Sequence, residues 1–239
     1  MPEKTSQDTG DSLSVSWSDT IRFIRQLSHD LRNDLNAIEL QSAYIGELEK
    51  NEELQGEIKR LREIVSRLAS TLQRLSRDVG DVKPNLISYR ATDFMEDLRG
   101  KIDQDLPKQK KEITWETQPG DAMLNVDPQL LLEVFTELFA NAFQHNRGKG
   151  PVLAKARIDN KLFLFTLSEP KGRFDLPTEN WGREPIGKVT QRHYGLGLNR
   201  VRDIVEAHGG KLHAQYDPNV SRLITTLTLP VASGASDSA

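Results

Sequence analysis

The first eighty residues carry a helical rhythm. From Trp17 to Val79 there is no proline and only two glycines, Gly46 and Gly56, and apolar residues return every three or four positions. One stripe runs Ile21, Ile24, Leu31, Leu35, Ile38 and Ile45, with Ser28 and Ser42 at the intervening steps. A second runs Leu54, Ile58, Leu61, Val65, Leu68, Leu72, Leu75 and Val79. Each marks one face of an amphipathic helix. Continued in phase, the first stripe would reach Glu49, Glu52, Gly56 and Lys59, so the apolar face jumps by about two positions, or roughly 200°. The jump predicts two helices, with the bend in the polar run from Glu47 to Glu53. A hairpin with an apolar stripe on each arm cannot bury both faces alone. Two copies can, as a four-helix bundle, so the pattern predicts a homodimer.

From Asp81 onward the pattern changes. Pro84, Pro107, Pro119 and Pro128 appear, and short β-prone runs alternate with helical ones. Strands are predicted at Asn85 to Tyr89, Ile113 to Thr117, Leu153 to Ile158, Leu162 to Leu167, Lys211 to Tyr216 and Leu223 to Leu229. Helices are predicted at Thr92 to Leu106, Asp127 to His145 and Leu198 to His208. Asp127-Pro128 reads as an N-cap followed by proline at the first helical position, and Gly209-Gly210 as a left-handed stop. The predicted architecture is α+β: a helical hairpin over residues 16–80, then an α/β sandwich over 81–230 with helices on one face of a mixed sheet. The polar segments 1–15 and 231–239 are expected to be disordered tails.

Composition narrows the function classes. The formal charge of the 239-residue chain is −3, with acids and bases nearly balanced, which argues against nucleic acid as a partner. There is no cysteine, so disulfides, thiolate metal sites and cysteine nucleophiles are excluded. No apolar run approaches the roughly 18 residues needed to span a bilayer, and the first residues are too polar for a signal peptide. A soluble, cytoplasmic protein without membrane insertion is expected.

Three groups of residues could carry chemistry. Ser28-His29-Asp30-Leu31-Arg32-Asn33 lies in the first helix with His29 just beside the apolar stripe. A neutral imidazole can attack a phosphoryl group, an adjacent carboxylate such as Asp30 can hold its other proton, and Asn33 at i+4 could orient a water. On the helix predicted from Asp127, Glu137, Asn141 and His145 share a face, and the first two offer hard oxygen ligands suited to Mg²⁺. Finally, Gly195-Leu196-Gly197-Leu198 precedes a helix, where backbone N–H groups and the positive dipole end favour phosphate.

In this order the three blocks resemble the sensor histidine kinases. The resemblance rests on His-Asp-Leu-Arg-Asn at residues 29–33, Glu-x-x-x-Asn-Ala at 137–142, and Gly-Leu-Gly-Leu at 195–198 leading to Val-x-x-Ile-Val-Glu-Ala-His-Gly-Gly at 201–210. It covers roughly Trp17 to Pro230. It implies a dimeric phospho-acceptor hairpin and an ATP-binding domain of the type shared with gyrase and Hsp90. It further implies autophosphorylation of His29 from Mg-ATP and transfer to an aspartate of a response-regulator receiver domain. By the same resemblance Asp30 is the base, Asn33 serves the reverse phosphatase reaction, and Asn141 with Glu137 ligates Mg²⁺. Ser168, Gly172, Gly195, Gly197 and Leu198 complete the nucleotide site.

The chain departs from that pattern in places. Where the family has Asp-x-Gly-x-Gly to receive the adenine amino group, it reads Ser168-Glu169-Pro170-Lys171-Gly172. A neutral hydroxyl in place of a carboxylate acceptor predicts a loss of about 1–2 kcal/mol, or about tenfold in affinity. Phe174 to Arg192 would form the lid over the nucleotide, without the family's usual second phenylalanine. Asp34 stands where many members have proline. These departures define an alternative: an ATP-independent histidine phosphotransferase or phosphatase with a degenerate nucleotide domain.

Overall fold

The computed structural model describes residues 17–144, 148–174, 178, 181–182 and 196–232. The chain divides into two compact units between Val79 and Gly80.

The first unit is an antiparallel pair of helices, α1 (Trp17–Leu48) and α2 (Glu52–Asp78). The bend falls inside the polar run, and its chemistry is local. Asn51 caps α2, its side-chain oxygen accepting from Glu53 N at 2.9 Å and Leu54 N at 3.3 Å. Glu49 Oε1 accepts from the backbone of Lys50 and Asn51, and Gln55 Nε2 donates to Glu49 O at 2.7 Å. α1 is a single helix through Asp34. The seam between the arms encloses Ser28 and Ser42 of α1 and Val65 and Leu72 of α2. The larger residues flanking that seam, Leu31, Ile38 and Ile45 on one arm and Leu54, Leu61 and Leu68 on the other, stay 42–52% exposed.

The second unit is a two-layer sandwich. Its sheet has the order β2 (Ile113–Gln118), β4 (Val152–Asp159), β5 (Leu162–Pro170), β7 (Arg222–Pro230) and β6 (Lys211–Asp217). The β2–β4 pair is parallel and the others antiparallel. A small ribbon joins β1 (Ile87–Arg90) to β3 (Met123–Val126). Helices α3 (Ala91–Asp105), α4 (Pro128–Gln144) and α5 (Gly197–Ala207) complete the unit. Their apolar faces enclose one core with the inward residues of the sheet, in which Phe135 meets Phe165 edge-on at 4.5 Å and Phe94 at 5.5 Å.

Two details differ from the sequence expectation. The strand β3 was not predicted, because four residues between the left-handed Gly120 and the start of α4 give too short an alternation to read. The ordered chain also continues past Pro230: Val231 N donates to Lys161 O, and Ala232 N to Met123 O at 2.7 Å. The other residues expected in the two tails, 1–15 and 233–239, lie outside the described residues. No described helix is long and apolar enough to cross a membrane.

Candidate functional site

His29 sits mid-α1 with 67% of its side chain exposed. Its Nδ1 lies 3.3 Å from Asp30 Oδ1, and Gln26 Nε2 donates to the same carboxylate oxygen at 2.9 Å. The hydrogen bond from Gln26, followed by that from the imidazole, holds the Asp30 carboxyl below its ordinary range. An ionised carboxylate only accepts, so the proton of a neutral imidazole lies on Nδ1 and the lone pair on Nε2. Gln26 was not foreseen, although its i−4 spacing from Asp30 is readable. Asn33 is exposed one turn further on.

In the sandwich, Asn141 Nδ2 donates to Glu137 Oε1 at 3.2 Å across one turn of α4, which leaves Asn141 Oδ1 as a further acceptor. The first turn of α5 meets the same carboxylate. A Cβ at Gly197 would stand 2.8 Å from Glu137 Cδ and closer still to Oε1. Glycine at 197 is therefore what admits Glu137 to the α5 N-terminus. Leu198 is half-buried against the core. Gly195 and His145 lie outside the described residues, as does most of the expected lid from Phe174 to Arg192. Within that stretch, Phe174 packs on Trp181 at 5.7 Å and on Tyr216 at 6.0 Å. Trp181 is tied down by Arg202, whose Nε donates to its carbonyl at 2.7 Å.

The end of β5 requires a correction. Phe163, Phe165 and Leu167 face the helices, so strand alternation turns Ser168 to the opposite face and Glu169 inward. The pairing with β7 is continuous from Leu162 to Pro170, so no bulge resets that count. Ser168 Oγ accepts from Arg222 Nε at 2.6 Å, on the outer face of the sheet. Its hydroxyl is thus engaged by Arg222 on the face away from the helices. The inward group is the Glu169 carboxylate, whose Oε2 lies 2.9 Å from Lys171 Nζ. Gly172 has no atom within 4 Å of where a Cβ would be, so nothing steric demands glycine there.

The histidine of the His-Gly-Gly segment is structural. His208 Nδ1 donates to Ile204 O at 2.7 Å, and its Nε2 accepts from Asp127 N at 2.9 Å. It thereby ties the end of α5 to the start of α4. Asp127 in turn caps α4 through Oδ1, accepting from Gln129 and Leu130, and accepts from Asn85 N through Oδ2. Burial pushes this carboxyl up, but the three backbone donors outweigh it and the group lies below its usual value.

An exposed, carboxylate-paired histidine thus lies on the helical hairpin, and a carboxylate and an amide lie beside a helix N-terminus in the two-layer sandwich that follows it. Sensor histidine kinases are among the proteins this chain resembles. The sensor histidine kinase ZraS of Klebsiella oxytoca is 26% identical over 213 residues, 86% of this chain and 45% of that protein. The sensor histidine kinase HprS of Escherichia coli (strain K12) is 27% identical over 207 residues, 82% of this chain and 44% of that one. Among solved structures, full-length ShkA in complex with AMPPNP matches in fold with a TM-score of 0.62 at 18% identity, covering 90% of this chain and 47% of that chain. No protein-family profile matches. The chain is a relative of the sensor histidine kinases, and it spans less than half the length of these relatives.

Proposed function

We propose that the chain is the transmitter core of a two-component histidine kinase, in which residues 16–80 dimerise and accept phosphate and residues 81–230 bind Mg-ATP. The observation that carries this reading is the His29–Asp30–Gln26 arrangement, which fixes the tautomer and leaves Nε2 as an exposed nucleophile. Mg-ATP, when bound, supplies the γ-phosphoryl group, with the ion offsetting phosphate charge. His29 Nε2 forms the new N–P bond as the bond to the ADP oxygen breaks, and Asp30 holds the Nδ1 proton while the ring gains positive charge. Asn141 Oδ1 and the Glu137 carboxylate are hard oxygen donors fitted to Mg²⁺, and Gly197 opens the α5 N–H groups to phosphate. Glu169, in place of Ser168, is the acceptor for the adenine amino group.

The phosphoryl group then passes to an aspartate of a response-regulator receiver domain, and Asn33 orients water for the reverse hydrolysis. Exposure of Leu54, Leu61 and Leu68 supports a second copy of the chain as the partner of the hairpin.

The test is incubation with labelled Mg-ATP, scoring acid-labile, base-stable phosphate. Label on the wild type and none on His29→Gln is expected. A wild type that takes no label from Mg-ATP but accepts phosphate from a phosphorylated receiver domain would replace this reading with the ATP-independent one.

A further inference from the structure

In the family pattern this strand ends in one carboxylate followed by two glycines. Here the inward carboxylate is followed two residues later by a lysine, and both are enclosed: the side chain of Glu169 is 8% exposed and that of Lys171 is 4%. Residues two apart on an extended chain share a face, so Lys171 is on the helix side with Glu169. The backbone holds both in place. Lys171 N donates to Ser221 O at 2.9 Å, the Tyr216 hydroxyl donates to Lys171 O at 3.2 Å, and Gly148 N donates to Pro170 O at 2.8 Å. A side chain at Gly148 would press on Pro170 at 3.2 Å, so that loop and the strand end are in close backbone contact.

We propose that Lys171 is a positioning residue for base recognition: its ammonium keeps the enclosed Glu169 carboxylate ionised and oriented, with Oε2 on the lysine and Oε1 presented to the amino edge of a nucleobase. This rests on the reading that the sandwich binds a nucleotide. A base amino group needs an acceptor, and an ionised carboxylate is a stronger one than its neutral acid. Enclosure works against that requirement, because burial drives Glu169 toward the protonated form. Among the described residues two positive charges oppose it. Lys171 is in contact, whereas Arg222 on β7 acts from the outer face, where it is committed to Ser168 Oγ and the carbonyl of Pro151. Opposite Glu169 on β7 stands Leu223, and β6 contributes the uncharged Tyr216, whose hydroxyl is on carbonyl oxygens. Burial is the larger influence and leaves the carboxyl above its ordinary range, and the contact charge of Lys171 is the stronger of the two that hold it down. A buried pair of this kind is seldom worth more to the fold than apolar residues of the same volume, so stability alone does not account for it.

The experiment is calorimetric titration of the full chain with Mg-ATP between about pH 5.5 and 9, for wild type, Lys171→Met, Lys171→Gln, Lys171→Arg and Glu169→Gln. Wild type and Lys171→Arg should keep their affinity to lower pH than either charge-removing variant. Lys171→Met and Lys171→Gln should lose about tenfold or more at the acid end and recover as pH rises and Glu169 ionises unaided. Glu169→Gln should be weak throughout. A flat profile for both charge-removing variants, whether unchanged or uniformly weakened, would overturn the role of Lys171 while leaving nucleotide binding intact. Wild-type protein with no affinity for Mg-ATP at any pH would overturn the nucleotide-binding reading itself and this role with it.

Discussion

On α2, Leu54, Leu61 and Leu68 are 46–52% exposed, whereas on α4 Leu131, Phe135 and Leu138 are at most 4% exposed. Both helices carry a regular apolar stripe, so periodicity does not distinguish them. What differs is the partner. α4 lies on a sheet whose inward side chains fill the space around it, while α2 packs on α1, with Ser28, Ser42, Val65 and Leu72 enclosed between the arms. With two serines among those four buried residues, the seam encloses little apolar area, so the hairpin's remaining stripe is surface open to a second chain. The sandwich is complete in one copy.

Breaking each side of that contrast should have different consequences. The largest effect is expected from Leu61→Glu with Leu68→Glu, which places charges in the exposed stripe. Analytical ultracentrifugation should show loss of self-association, and the sandwich should keep its melting transition. Survival of the dimer would mean that the stripe is not its interface. Next, Phe135→Ala should destabilise the sandwich by about 3–5 kcal/mol, because the ring is enclosed by Phe94 and Phe165 and leaves a cavity when removed. Denaturant unfolding measures this. The smallest effects are the two helix caps, each worth about 1 kcal/mol. Asn51→Ala should cost the same at every pH. Asp127 has a folded value depressed below its ordinary one, so its contribution is present above about pH 4 and is lost as pH falls through the lower folded value. Asp127→Ala should therefore cost stability at neutral pH and progressively less in acid, which paired melts will show.

Much of this was legible before any coordinates. The phase jump gave two helices and placed their bend, and the proline and glycine punctuation located most of the sandwich elements to within a few residues. The short β3 was not legible, since four residues carry too little periodicity. Within the site, spacing along one helix was enough to bring Glu137 to Asn141 and His29 to Asp30. At the end of β5, matching the turn by its last glycine put Ser168 in the acceptor's place, whereas the strand's own alternation turns Glu169 to the helix side. Counting inward residues from Phe163 gives Glu169. The partners of Ser168 and His208 come from β7 and from the start of α4, 54 and 81 residues away, and no local pattern announces them.

Residue 197 contributes to the site through the volume it leaves empty. The space that a methyl group would fill there is occupied by the carboxylate of Glu137, so the two positions draw on one shared allotment of room. A methyl group gained at 197 would push aside the Glu137 carboxylate, the free end of a flexible side chain, and so would move the acid away from the helix N-terminus. The two positions are thereby coupled across sixty residues of sequence, since a side chain at 197 changes where the acid at 137 can stand.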